Sequence, residues 1–191
     1  MERRAFFVGL AAVLAAIPVA GLGFRRWRVG RGGRGNAETA AEGLVDEQGG
    51  AQAIERLEKP KSYWREVLTP GQYAVLFEEA TERPFSSPLN GEKRKGTYVC
   101  AACFLPLFAS ETKYESGTGW PSFWAPIPGR VGTKLDLKLL WPRTEYHCVR
   151  CGGHQGHVFD DGPPPTGKRY CNNGVALRFV PEGEPLPPLR T

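Results

Sequence analysis

Residues 98–108 read YVCAACFLPLF, and residues 146–154 read YHCVRCGGH. Each stretch carries a Cys-x-x-Cys pair after a strand-like run, and the two pairs are Cys100 with Cys103 and Cys148 with Cys151. Such a turn presents two sulfurs on one side, so two turns supply the four soft donors of a tetrahedral structural zinc site. We therefore predict one structural zinc ion that joins two distant loops of a larger sheet. Two disulfides are the alternative, because an oxidising compartment would allow them.

The sequence around these pairs is typical of short antiparallel strands. Glycine (24) and proline (17) are frequent, and they break the chain after Arg94 into runs of strand length. In residues 134–140 the leucines alternate, which places Leu135, Leu137 and Leu139 on one face of a strand. Upstream, Thr69 and Pro70 are suited to begin a helix over about 70–80. We predict one small, mainly β domain preceded by one or two helices.

The N-terminal segment has the layout of an export signal. Arg3 and Arg4 precede the uncharged run 5–24, and the pair resembles a bacterial twin-arginine signal. We therefore expect a periplasmic or otherwise extracytoplasmic protein, with residues 1–28 as export signal or membrane anchor. The alternative is a protein anchored in the membrane through residues 5–24, since twenty residues can span a bilayer. Residues 29–59 are interpreted as a flexible linker.

The distribution of charge argues against a nucleic-acid partner. The chain has 25 basic and 20 acidic side chains. Residues 1–35 hold seven basic and one acidic side chain, which leaves 18 basic and 19 acidic side chains in residues 36–191. The body of the chain is therefore near neutral, whereas a zinc-ribbon module that binds nucleic acid would present a basic face. The other rival class is a non-catalytic secreted domain held by disulfides. It would contain no metal and would not depend on its fifth cysteine.

That fifth cysteine is Cys171, in the stretch GKRYCNNGVALRF at 167–179. Two of the three histidines of the chain, His154 and His157, precede it between glycines, and Arg169 stands two residues before it. A nearby arginine or protonated histidine lowers the pKa of a thiol and so favours the reactive thiolate. A lone cysteine is also often a small buried apolar residue, so the residue types alone leave both interpretations open.

Four blocks of the sequence together resemble the B-type methionine sulfoxide reductases, also called peptide-methionine (R)-S-oxide reductases. The blocks are TERPFSSPLN, GTYVCAACFLPLFAS, KYESGTGWPSFWAPI and CGGHQGHVFDDGPPPTGKRYCNNGVALRF. The resemblance implies a fold of two antiparallel β-sheets with a few N-terminal helices and a four-cysteine zinc site. It implies a reductase domain over residues 60–185, followed by a C-terminal tail at 186–191.

The resemblance also implies an activity, the reduction of the R epimer of methionine sulfoxide in peptides and proteins through a cysteine sulfenic acid. Such chemistry needs a thiolate and a proton donor that face the same S–O group. The positions that match the motif of the family are Cys171 as nucleophile, His154 and His157 near the sulfoxide oxygen, Asn173 in the hydrogen-bond framework, Arg169 beside the thiolate, and Trp120 against the substrate methyl group.

One position departs from many members of that family. The residue before Gly-Trp-Pro is Thr118, where those members carry a second cysteine that resolves the sulfenic acid. With four cysteines assigned to zinc, no resolving thiol remains in the chain. We therefore expect a thioredoxin-like protein as reductant. The resemblance implies oxidised proteins or peptides as substrates, and we expect the protein to act as a monomer.

Overall fold

The computed structural model describes residues 54–138 and 141–191. The predicted export signal or anchor and the predicted linker up to residue 53 lie outside the described residues. Within the described ranges, no helix is both long and apolar enough to cross a membrane.

Two short helices open the described chain, α1 (Lys61–Val67) and α2 (Pro70–Glu78). The second begins as its sequence predicts. Thr69 Oγ1 accepts a hydrogen bond from the Gln72 backbone N–H, and the Gln72 side chain accepts one from the Thr69 N–H (3.3 and 3.1 Å). This reciprocal cap satisfies two backbone donors that a helix start leaves free. The two helices pack through Trp64 and Phe77, whose stacked rings are 4.8 Å apart.

The strands of the described residues form two antiparallel sheets. The smaller contains β1 (Gly96–Cys100), β2 (Pro106–Ala109) and β9 (Leu177–Pro181), in the order β2-β1-β9. The larger contains β3 (Lys113–Tyr114), β4 (Ser122–Phe123), β5 (Val131–Asp136), β6 (Arg143–Cys148), β7 (His154–Phe159) and β8 (Arg169–Asn172), in the order β3-β4-β8-β7-β6-β5. The mainly β architecture with two antiparallel sheets is thus confirmed.

An aromatic cluster joins the two sheets. Phe108 of β2 stacks on Phe123 of β4 with ring centroids 4.2 Å apart, and Tyr98 of β1 meets Phe123 edge-on at 5.0 Å. All three side chains are fully buried. Aromatic side chains of this size contribute most of the apolar area of a small core, so this cluster fixes the sheets that carry the site.

The strand that the leucine run of residues 134–140 predicts is only partly present in the structure. β5 ends at Asp136, so Leu137 follows the strand, and the side chains of Leu135 and Leu137 are both exposed. β5 lies at the edge of the larger sheet. Asp136 is the buried residue instead. Leu139 lies outside the described residues.

Both ends of the described chain reach the cysteine turns. The Leu57 N–H donates to the Arg150 carbonyl at 2.7 Å, and the Arg190 N–H donates to the Cys103 carbonyl at 3.2 Å. The described part of the predicted linker and the predicted C-terminal tail are therefore each hydrogen-bonded to one of these turns.

Candidate active site and four-cysteine cluster

The four paired cysteines converge on one point. Their sulfurs all lie within 4.8 Å of one another, and the distances from Cys100 to Cys151 and from Cys103 to Cys148 are 3.7 and 3.5 Å. In a regular tetrahedron with Zn–S bonds of about 2.3 Å, the sulfurs are about 3.8 Å apart. The cluster therefore has the dimensions and the donor set of a four-thiolate zinc site.

The two cysteine turns have the same backbone form. Phe104 N–H donates to the Cys100 carbonyl and Gly152 N–H to the Cys148 carbonyl, both at 2.9 Å. Phe104 and Gly152 both adopt left-handed backbone conformations, with φ of 64° and 72°. This shared turn directs both sulfurs of each pair inward, as the Cys-x-x-Cys spacing predicts.

The electrostatics of the cluster also favour a cation. Contacts with the other three sulfurs, together with burial, raise the pKa of Cys100 well above that of an ordinary thiol. Four thiolates this close repel one another unless a positive ion lies between them. With four thiolate ligands such an ion has no open position, so it would stabilise the fold and take no part in catalysis.

Cys171 lies apart from the cluster, on β8 at the centre of the larger sheet. Its register partners are Ser122 on β4 and His157 on β7. The half-buried thiol faces a cleft of about 130 Å³ whose lining includes His157, Trp120, Asn172 and Asn173. Gly156 is required here, since a Cβ at this position would lie 1.9 Å from the Cys171 carbonyl oxygen.

The structure brings four of the six predicted site residues to the cleft: Cys171, His157, Trp120 and Asn173. His154 is buried behind His157, with the two rings edge-on at 5.4 Å. Its Nδ1 lies 3.1 Å from Glu145 Oε1, although the N–H is not aligned for a hydrogen bond. Burial lowers the pKa of His154, so its ring is neutral at pH 7.

Arg169 is outside the cleft lining but acts on the thiol through its charge. Its guanidinium donates two hydrogen bonds of 2.8 Å to Asp161 and stacks 4.4 Å from the Phe159 ring. Burial raises the pKa of the Cys171 thiol, while Arg169 and a hydrogen bond with Thr118 partly oppose that effect. The charge of Arg169 therefore favours the thiolate, but the effect of burial on the Cys171 pKa is larger.

This balance predicts how Cys171 reacts with an alkylating reagent. Because only the thiolate reacts, the alkylation rate should rise with pH and reach half its maximum above the pH typical of a free cysteine. Arg169→Gln should move that midpoint to higher pH, while Lys168→Gln, the exposed neighbour, should leave it in place. Peptide mapping of Cys171 alkylation against pH measures both. An unchanged midpoint in Arg169→Gln would contradict this role for the arginine.

Several residues that sequence reasoning missed hold the site together. Asp136 Oδ2 is 2.7 Å from His157 Nε2 and accepts a hydrogen bond from Arg143 at the same distance. The Lys138 backbone N–H, His157 and Arg143 hold the pKa of Asp136 well below its usual range. The buried carboxylate therefore stays charged and fixes the orientation of the His157 ring. Its signal in the sequence was a single acidic residue within an alternating leucine run.

Glu82 connects three parts of the cleft. Its backbone N–H donates to Asn173 Oδ1 at 3.0 Å, and its carbonyl accepts from Trp120 Nε1 at 3.2 Å. Its carboxylate accepts from the backbone N–H groups of Gly174 and Val175. The side chains of Trp120 and Asn173 are thus held by one residue on the loop after α2.

Thr118 stands at the position where many members of the similar family carry a second cysteine. Its hydroxyl lies 2.8 Å from Ser116 Oγ, which lies 2.8 Å from the buried Ser122 Oγ. Thr118 therefore places a hydroxyl beside Cys171, where a cysteine would offer a sulfur. The other four cysteines of the chain all belong to the cluster.

A free thiol beside a fixed histidine, on a β fold with a separate four-cysteine cluster, is an arrangement that suits a thiol-dependent oxidoreductase. Residues 68–181 match the model of the SelR domain. The chain is 55% identical over 133 residues to a protein of Methanosarcina barkeri, and the aligned region covers 69% of this chain and 94% of the relative. It is 52% identical over 127 residues to one of Agrobacterium fabrum, with 66% and 94% covered. Both relatives are named peptide methionine sulfoxide reductase MsrB, and this chain belongs to that family.

Proposed function

We propose that this protein reduces the R epimer of methionine sulfoxide in peptides and proteins to methionine, with Cys171 as the nucleophile. The observation that carries this proposal is the register of β7 and β8, which sets His157 directly beside Cys171 on a cleft bounded by Trp120. A proton donor and a thiol thus face the same small volume, as sulfoxide reduction requires.

In the proposed reaction, the indole of Trp120 contacts the terminal methyl group of the substrate, and the sulfoxide oxygen points to His157. Hydrogen bonding or proton transfer from His157 makes the sulfoxide sulfur electrophilic, and the Cys171 thiolate attacks it. The oxygen, with the proton from His157, passes from the substrate sulfur to the Cys171 sulfur, so the substrate S–O bond and the sulfur–sulfur bond made in the attack both break and a Cys171 S–O bond forms. The sulfoxide thereby gains two electrons and becomes a thioether. Cys171 loses two electrons and becomes a sulfenic acid.

The groups around the cleft indicate which side chain donates the proton to the sulfoxide oxygen. We assign this role to His157, because it lines the cleft and its ring is held by the 2.7 Å contact between its Nε2 and Asp136 Oδ2. His154 supports it from behind as a neutral, buried ring. One structural zinc ion on the four-cysteine cluster completes the proposal, and its contribution is to the stability of the sheets.

The experiment that tests this function is turnover of the separate epimers of a blocked methionine sulfoxide with a dithiol reductant. We expect methionine from the R epimer and essentially none from the S epimer. Equal turnover of both epimers would contradict the proposed stereospecificity, and turnover of neither epimer would contradict the proposed activity.

Recycling of Cys171 follows from the count of thiols. Since no free cysteine remains, the reductant thiol must attack the sulfenic acid and form a mixed disulfide, which a second thiol of a thioredoxin-like protein resolves. Oxidation by substrate alone should therefore leave Cys171 as a sulfenic acid without an internal disulfide. Thr118→Cys, which puts a thiol at the neighbouring hydroxyl position, should instead give an internal disulfide with Cys171.

Mass spectrometry of the intact proteins, followed by non-reducing peptide mapping, distinguishes the two products. The sulfenic acid adds one oxygen atom, whereas the disulfide removes two hydrogen atoms. A disulfide between Cys171 and Cys100, Cys103, Cys148 or Cys151 in the unaltered protein would show that the cluster itself supplies the resolving thiol.

A further inference from the structure

Strand β7 contains one residue more than the neighbouring strand β6 at the end near the cysteine turns. In the register of the two strands, Tyr146 pairs with Gly156. The next residue of β6, His147, pairs with His154. Gln155 is therefore the extra residue of a β-bulge. A bulge redirects the side chains on either side of it, and bulges are frequent beside active sites. Here the bulge lies between the two histidines of the candidate active site.

The bulge explains why these two histidines lie on the same side of the sheet. Residues three apart on a regular strand point to opposite faces, yet the rings of His154 and His157 are edge-on at 5.4 Å. Their register partners on β6, His147 and Glu145, are only two residues apart, so both histidines share a face. The neutral ring of His154 packs behind His157 because Gln155 is accommodated outside the regular ladder.

The side chain of Gln155 connects this bulge to the four-cysteine cluster. It is fully buried, and its Nε2 donates to Cys100 Sγ and to the Gly153 carbonyl, each at 3.5 Å. Its Oε1 has no hydrogen-bond partner among the described residues. Such an atom costs stability that an apolar side chain of equal size would not, so stability alone does not explain a glutamine here. Groups that hydrogen-bond to metal ligands fix the orientation of those ligands.

The backbone of Gln155 connects the same bulge to the active site. Its carbonyl oxygen accepts two hydrogen bonds from Asn173, one from the backbone N–H at 2.8 Å and one from Nδ2 at 3.0 Å. This contact continues the ladder of β7 and β8 in which His157 pairs with Cys171. The position of Gln155 therefore helps to set the register that places the histidine beside the thiol.

A second connection joins the cluster to the same segment. The Ala101 N–H, inside the first Cys-x-x-Cys turn, donates to the Ala176 carbonyl at 2.9 Å. The Ala176 N–H in turn donates to the Asn173 carbonyl at 3.0 Å. Asn173 is thus attached to the cluster along its own part of the chain as well as through Gln155.

We propose that Gln155 is a positioning residue that couples the four-cysteine cluster to the active site. Its side chain holds Cys100, its carbonyl holds Asn173, and its place in the bulge sets the two histidines on one face. The cluster takes no part in the chemistry, but through Gln155 it holds the end of β7 from which the histidines project. The inference rests on the proposed function, since its effect on catalysis is measured in the reduction of methionine-R-sulfoxide.

The test replaces Gln155 by methionine, which has a similar length and volume but no N–H donor. With cobalt(II) bound in place of zinc, the sulfur-to-cobalt charge-transfer absorption should move to longer wavelength in Gln155→Met, because the N–H group no longer stabilises the charge on Cys100 Sγ. In the zinc-loaded protein, kcat for methionine-R-sulfoxide should fall about tenfold with KM nearly unchanged, because a small displacement of the reacting groups slows the chemical step.

The matched control is Gln72→Met, the same chemical change at the start of α2. It removes a helix cap and should lower the melting temperature slightly, but it should leave the absorption band and kcat unchanged. The control thus separates a loss of stability from a loss of positioning. In addition, the effects of Gln155→Met and Asn173→Ala on kcat should combine to less than their product, because the two residues act through one contact.

An unshifted absorption band, or an unchanged kcat in Gln155→Met while the unaltered protein is active, would overturn the coupling and leave the proposed function in place. An unaltered protein that does not turn over methionine-R-sulfoxide would overturn both. If Gln155→Met does not fold, the unaltered protein decides. Loaded with the NMR-active isotope of cadmium, it should show a scalar coupling between the metal and a side-chain amide proton of Gln155. Absence of that coupling would overturn the hydrogen bond to Cys100 and the inference with it.

Discussion

Replacing Cys171 by serine is expected to lower the turnover of methionine-R-sulfoxide by about a thousandfold or more. A serine hydroxyl stays protonated at neutral pH, so the nucleophile is lost, and an alcohol cannot take up the oxidation state of a sulfenic acid. The change removes little volume, and Cys171 is only half-buried between Ser122 and His157. The fold should therefore survive, which a thermal melt and a metal analysis would verify.

The steady-state rate with a dithiol reductant is the measurement. His157→Gln should also lower the rate strongly, but it leaves the thiol able to react with an alkylating reagent. An active Cys171→Ser protein would show that another group performs the attack, and it would refute the assignment of the nucleophile.

Replacing a cluster cysteine is expected to have the opposite outcome, a large loss of stability. Cys103→Ser leaves three thiolates, so zinc would bind more weakly and the two turns would no longer be joined. Because the binding energy of a structural zinc ion is part of the folding energy, we expect a loss of about 5 kcal/mol or more. For a domain of this size the melting temperature would fall by about 10 °C or more.

Cys171→Ser is the matched control, since it is the same chemical change at the one cysteine outside the cluster. It should keep one zinc per chain and a normal melt without activity, whereas Cys103→Ser should lose zinc and melt early. A metal-free protein with an unchanged melt would contradict a structural zinc ion in this fold.

The sequence predicts the structure well where the spacing of nearby residues determines the backbone geometry. The Cys-x-x-Cys turns and the Thr69–Pro70 helix start depend on contacts within four residues, and the structure has both. In the leucine run of residues 134–140 the strand ends at Asp136, and the side chains of Leu135 and Leu137 are exposed. Period-2 alternation shows which residues share a face, but it does not show whether another layer covers that face.

The same limit applies to the site. Residue types and a family resemblance pointed to Cys171, His157, Trp120 and Asn173, and all four line one cleft. The sequence did not indicate that Asp136, 21 residues from His157, would fix its ring. Such a pair depends on how β5, β6 and β7 are registered, and register follows from the whole sheet.

A single turnover without reductant tests the central claim most directly. The protein is mixed with excess methionine-R-sulfoxide peptide, and both the released methionine and the mass of the Cys171 peptide are measured. We predict one methionine per chain and a Cys171 that is one oxygen atom heavier, with the other cysteines unchanged. Methionine formed while Cys171 stays unmodified, or continued turnover without reductant, would contradict the thiol mechanism.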